Sequence, residues 1–148
     1  MLKSKKIIAI CSSAAFYKQD IEIMESLKKL GFQVKLPYTA MIMKRTGNYD
    51  VNHYKTWFKN NNYSKKAMLM RRHFDKIVNS DAVLIVNFAK NKEAGYIGGN
   101  VLMEMGIAFH FKKPIFIYNQ ISKTSKFKEE ILGMLPIFIN QDLEKIEI

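Results

Sequence analysis

The sequence has a single cysteine, Cys11, in 148 residues, which excludes an internal disulfide and a cysteine-rich metal site. It has no apolar run approaching the roughly 20 residues that a membrane-spanning helix requires. The basic start, Met1-Leu2-Lys3-Ser4-Lys5-Lys6, leads only into the brief apolar stretch Ile7 to Cys11, shorter than the roughly 7–15-residue middle of a secretory signal. A cytoplasmic protein is therefore expected. Internal repeats and low-complexity tracts are absent. Acidic residues are scarce, with 13 Asp and Glu against 24 Lys and Arg and a net charge of +11. The lysines are dispersed rather than clustered, so the excess reads as a solvated basic surface or an affinity for a small anion. A phosphate-bearing metabolite suits one small domain better than a duplex does, and nucleic acid is not the expected partner.

What is present is the composition of one globular domain, 48% hydrophobic and 25% charged, long enough to bury a core without staples. The first apolar run, Ile7 to Cys11, ends in Ser12-Ser13, as a buried parallel strand does when it opens into a phosphate-sized turn. Ile23, Met24, Leu27 and Leu30 then recur at helical spacing until Gly31 stops the helix. Phe32 to Leu36 alternates as a strand and halts at Pro37. From Tyr38 to about Asn62 the periodicity fails among glycine, asparagines and large aromatics, which predicts a semi-ordered flap over a binding site. A helix follows with Tyr63, Ala67, Met70, Phe74 and Ile77 on one face. Asp81 precedes the apolar strand Ala82 to Val86, a loop runs to Ile97, and Gly98-Gly99-Asn100 opens a helix reaching Phe111. A strand at 114–118, a helix near 126–132 and a strand at 137–139 complete the chain. This alternation predicts an α/β domain with a doubly wound, five-stranded, mostly parallel sheet.

Ligands of open parallel sheets bind outside the carboxyl ends of the strands. That places Ser12, Ser13 and Tyr17 after the first strand, Tyr38 after the second, and Asn87, Tyr96, Gly98, Gly99 and Asn100 after the third, as candidate substrate-binding residues. The helix that starts at Gly98-Gly99 offers unpaired N–H groups and the positive end of its dipole to an anion. Glu104 falls on the same edge as Asn100, while Val101, Met105, Ala108 and Phe109 are expected to face the core. A carboxyl at that rim is half shielded from water, which suits nucleophilic or acid–base chemistry. Spacing alone reads equally as an acid stabilised by the helix dipole. His53, His73 and His110 are far apart in the chain, so no metal site is expected, nor is a cofactor.

Asp81-Ala82-Val83-Leu84-Ile85-Val86, a loop, and Gly98-Gly99-Asn100-Val101-Leu102-Met103-Glu104-Met105-Gly106-Ile107-Ala108 together resemble the core signature of the nucleoside 2-deoxyribosyltransferase superfamily, which includes the deoxynucleoside monophosphate N-glycosidases. The resemblance covers most of the chain outside the 38–62 segment and implies a flavodoxin-like fold. It also implies that Glu104 is a nucleophile toward the anomeric carbon of a nucleoside or nucleotide. Asp81 would assist protonation of the base or orient the site, and Ser13 would help hold a sugar-phosphate. A homo-oligomer is expected on the same ground. At Gly98 the sequence departs from the pattern, since the transferases carry an acid there and the glycosidase branch a serine. Asn100 is the nearby polar side chain that could contact the base instead. A binding or sensor module without turnover is the competing expectation.

Overall fold

The computed structural model describes residues 3–148; Met1 and Leu2 of the basic N-terminal stretch lie outside the described residues. Five strands, β1 (Ile7–Ser12), β2 (Gln33–Lys35), β3 (Ala82–Val86), β4 (Ile115–Ile117) and β5 (Ile137–Phe138), form one sheet in the order β2-β1-β3-β4-β5. Every pairing is parallel, so the mostly parallel sheet expected is wholly parallel. This is the flavodoxin-like order, and its switch point lies between β1 and β3. Those two strands run side by side from Ile8 opposite Ala82 to Ser12 opposite Val86.

The central strands β1, β3 and β4 are almost wholly apolar because both faces are covered. On one face Ile8, Ile10, Leu84, Val86 and Phe116 pack against Ile23, Met24 and Leu27 of helix α1 (Tyr17–Lys29). On the other Ala9, Cys11, Val83, Ile85, Ile115 and Ile117 meet Ile77, Met105, Ala108 and Ile131. The side chains alternate residue by residue between the two cores, as a pleated strand requires. The second core is capped by α4 (Ser64–Val78), α5 (Gly99–His110) and α6 (Lys128–Gly133). Helix α1 ends as expected at Gly31, with the Gly31 and Phe32 amides returning to the Lys28 and Leu27 carbonyls.

Three local expectations are corrected. The 38–62 segment contains a nine-residue helix, α2 (Tyr38–Thr46), and one further turn, α3 (Val51–Tyr54). Ala40 and Met43 of α2 are buried, and this spaced pair is all the apolar periodicity the segment needed. Phe109 does not face the core: it is 51% exposed, because the inner stripe of α5 runs Val101, Glu104, Met105, Ala108. In α4 the inner face carries Lys66, Leu69, Met70, His73 and Ile77, while Tyr63 and Ala67 are exposed. Among the described residues no helix is long and apolar enough to cross a membrane.

Candidate active site

A cavity of about 190 Å³ opens at the carboxyl ends of β1 and β3. Its walls come from the turn after β1, the segment after β2, the inner face of α4 and the N-terminus of α5. Of the predicted residues it gathers Ser12, Ser13, Tyr17, Tyr38, Tyr96, Gly98, Gly99, Asn100 and Glu104. The amides of Gly99, Asn100 and Val101 fall in the first turn of α5, where a helix supplies no carbonyl partners. No side chain caps them.

Two predicted residues lie elsewhere. Asp81 sits before β3, at the opposite edge of the sheet, where its carboxylate accepts the Ile7 amide at 2.7 Å and its own amide donates to the Ile7 carbonyl at 2.8 Å. A six-residue strand, on the order of 17 Å long, separates it from the cavity, so Asp81 anchors the start of β1 and cannot serve the site. Asn87 is fully buried and clasps Asn119. Its amide donates to the Asn119 carbonyl at 2.8 Å, and its side-chain oxygen accepts the Asn119 amide at 2.8 Å. Its second amide hydrogen points to the Gly95 carbonyl at 3.3 Å, so both side-chain donors are used within the protein. Nearby Gly95 has φ +60°, and a Cβ there would lie 2.0 Å from the Gln120 carbonyl oxygen, so only glycine fits the end of this loop.

Glu104 lies at the cavity floor with 4% exposure. Burial pushes its carboxyl up to about 8, against a lowering by the Lys66 ammonium and with a further rise from Asp20. Its neighbour is His73, whose Nε2 lies 3.6 Å from Glu104 Oε2. Burial, followed by the Lys76 charge, holds that imidazole down at about 4. Burial thus disfavours the charged form of both partners, so the contact is not a conventional ion pair. Cys11 Sγ lies 3.5 Å from the same Nε2, and burial raises the thiol far above its usual range, with Glu104 and Asp20 adding to the rise. Tyr17 is likewise pushed up by burial.

A second carboxyl lies behind the first turn. Asp20 is fully buried and is pushed up to about 8 by that burial, moderated by a hydrogen bond from Ser12. The Ser12 Oγ to Asp20 Oδ2 distance is 2.5 Å, and Asp20 Oδ1 has no partner. Three cations rim the cavity. Lys90 Nζ donates to Ser13 Oγ at 2.9 Å and lies over the Tyr96 ring; Lys66 Nζ donates to Asn100 Oδ1 at 3.0 Å and lies over Trp57. Both ammonium groups are lowered first by desolvation and then by the charge of Lys55, the third. Three like charges at one rim attract an anion.

Sequence reasoning did not select Asp20, Lys55, Lys66, His73 or Lys90. A signal existed for three of them: Asp20 precedes Ile23, Met24 and Leu27 in register, and Lys66 and His73 share the stripe of Met70 and Ile77. Polar residues at apolar positions of a helix are costly unless they face a site. The scatter of the histidines along the chain also concealed that the fold places His73, Cys11 and Glu104 together, with one donor atom from each within 4.8 Å of the others.

No protein-family model matches the chain, and no curated protein matches it by sequence. Its structure is similar to that of a 2-deoxyribosyltransferase from the psychrotolerant bacterium Bacillus psychrosaccharolyticus, with a TM-score of 0.62 and 14% identity, over 96% of this chain and 93% of that one. At that identity the likeness shows a shared fold.

Proposed function

We propose that the chain cleaves or transfers the N-glycosidic bond of a nucleoside or nucleoside 5'-monophosphate, with Glu104 as nucleophile. The observation that carries this reading is a buried carboxyl at the floor of a sugar-sized cavity, beside a helix N-terminus and under a rim of three lysines. In the reaction a Glu104 oxygen attacks the anomeric carbon, the carbon–nitrogen bond breaks, and the base departs with the bonding pair and takes up a proton. Water or a second base then displaces Glu104. The fold shared with a 2-deoxyribosyltransferase supports the same reading.

Electrostatics favour the phosphorylated substrate. Burial pushes Glu104 and Asp20 toward their protonated forms, so the positive charge of Lys55, Lys66 and Lys90 is only weakly opposed in the cavity. An arriving phosphate relieves the repulsion among them, and the α5 amides add donors. Lys66 is also the group that draws Glu104 toward its ionised, nucleophilic form. His73, in contact with Glu104, is a positioning residue in this scheme. The base has Tyr96 and Trp57 to stack on, and aromatic stacking contributes roughly 1–3 kcal/mol. Self-association accompanies this reading, supported by the exposed apolar side chains Met103, Phe109 and Phe111; light scattering of the full chain tests it.

The activity test is incubation with deoxynucleosides and their 5'-monophosphates, followed by chromatography for free base, in wild type and Glu104→Ala. Equal release by both, or none from either, removes the assignment. One observation favours a second reading: the protonated resting state of Glu104 suits a binding module without turnover. Thermal stabilisation by a nucleotide with no base released would select it.

A further inference from the structure

We infer that Cys11, His73 and Glu104 form a binding site for a single thiophilic divalent cation of the Zn²⁺ class, with its remaining coordination position open to the cavity. The three side chains come from three elements, β1, α4 and α5, and converge although they are far apart in sequence. All three are buried. His73 and Glu104 line the cavity floor, which is the route of entry.

The geometry fits a metal better than it fits the hydrogen bonds that replace it. Metal bonds of about 2.3 Å to sulfur and about 2.0–2.2 Å to nitrogen and oxygen, at tetrahedral angles, separate sulfur from nitrogen by roughly 3.5 Å and nitrogen from oxygen by roughly 3.3 Å. The observed separations are 3.5 Å from Cys11 Sγ to His73 Nε2 and 3.6 Å from that nitrogen to Glu104 Oε2. The third edge, from Cys11 to Glu104, lies within 4.8 Å and would shorten to roughly 3.6 Å on binding. Both neighbours converge on one nitrogen, Nε2, the atom whose lone pair a metal would take.

The charge balance also fits. Binding displaces the Cys11 thiol proton and the Glu104 carboxyl proton, so a dication replaces two protons and the buried cluster stays neutral. One sulfur, one nitrogen and one oxygen donor select a borderline ion, zinc or cobalt, over magnesium or calcium. Three protein ligands and an open position are the composition of a zinc site that takes up a small molecule or water. If Glu104 is the nucleophile proposed above, a bound metal removes it from the reaction; the site itself does not rest on that reading.

The test uses the full chain, stripped with a chelator and titrated with Co²⁺ while its absorption spectrum is followed. One equivalent is expected to produce a near-ultraviolet thiolate-to-cobalt band together with the strong visible bands of a four-coordinate ion, and Zn²⁺ is expected to displace it. Cys11→Ala, a small apolar replacement in a small pocket, is expected to abolish the thiolate band. It and His73→Gln should each weaken Zn²⁺ binding by more than about tenfold, since even outer-shell partners contribute 10–100-fold. Absence of the thiolate band from the wild type, or a weakening under tenfold in folded Cys11→Ala, overturns the site. Metal is read without nucleoside and base release is read in chelator. A chain that binds cobalt but frees no base keeps this site and loses the glycosyl chemistry, and the opposite pair of results does the reverse.

Discussion

The two ends of the sheet treat their carboxyl groups differently. At the amino edge Asp81 is partly exposed, engages the Ile7 amide and stitches β1 to β3. At the carboxyl edge Glu104 and Asp20 are almost wholly buried and pushed by that burial toward their protonated forms, and one oxygen of Asp20 has no partner. One end satisfies its acid; the other withholds water and leaves the acids wanting. A buried, under-satisfied polar group costs free energy, and a fold keeps such a cost where something else is gained. The contrast separates an acid that holds the structure from buried acids that the proposed function would draw on.

The sharpest way to break this contrast is Glu104→Gln, which preserves shape and removes the carboxyl proposed as nucleophile. Base release should fall by at least about a thousandfold while the melting temperature holds or rises, because a neutral amide costs less to bury; a comparable fall in both would make Glu104 structural. Asp20→Asn probes the stability side. The Asp20 carboxyl lies near 8 in the folded chain and near 4 when unfolded, so ionisation favours the unfolded chain. Its destabilising effect is absent below about pH 4, grows as pH rises toward 8, and levels off above. Asp20→Asn should therefore be the more stable protein at pH 7, by on the order of a few kcal/mol, with the gap closing by pH 4 in thermal melts. A pH-independent gap would remove the buried charge as its cause.

Asp81→Ala should do the opposite of Glu104→Gln. It strands the Ile7 amide and should cost about 1–3 kcal/mol in denaturant unfolding, with kcat unchanged. A lost kcat in folded protein would return Asp81 to the site. The smallest effect belongs to Lys90→Met, expected to raise KM for a 5'-monophosphate by roughly tenfold, or about 1.4 kcal/mol, and to leave the unphosphorylated nucleoside within twofold. An equal rise for both would mean that Lys90 acts only by holding Ser13.

The sheet was legible in the sequence because its central strands are continuous apolar runs, as fully buried parallel strands must be, and because the edge strand β2 alternates up to Pro37. Glu104 was legible because Gly98-Gly99 marks where α5 begins and helical spacing does the rest. The misplaced elements share one cause. In α4, Lys66 and His73 occupy inward positions, so a reading that follows apolar residues rotates the helix and puts Tyr63 and Ala67 inside. In α5, Glu104 takes an inner position and Phe109 an outer one, which inverts the same rule. Asp81 entered the site through the resemblance alone, although its place just before a parallel strand already puts it at the amino end of the sheet, away from the site. Asn87 stands at the correct end, but its partner Asn119 belongs to a different crossover, and no local pattern pairs them.

The loop from β3 to α5 is fastened at both ends, by the Asn87–Asn119 clasp and by the space that admits only glycine at 95. That wall of the cavity is a fixed jamb. Adaptation to a larger or differently shaped guest must come from the facing wall at 38–62, where few side chains reach the core. Variants selected for new guests should accumulate there and leave the fastenings alone.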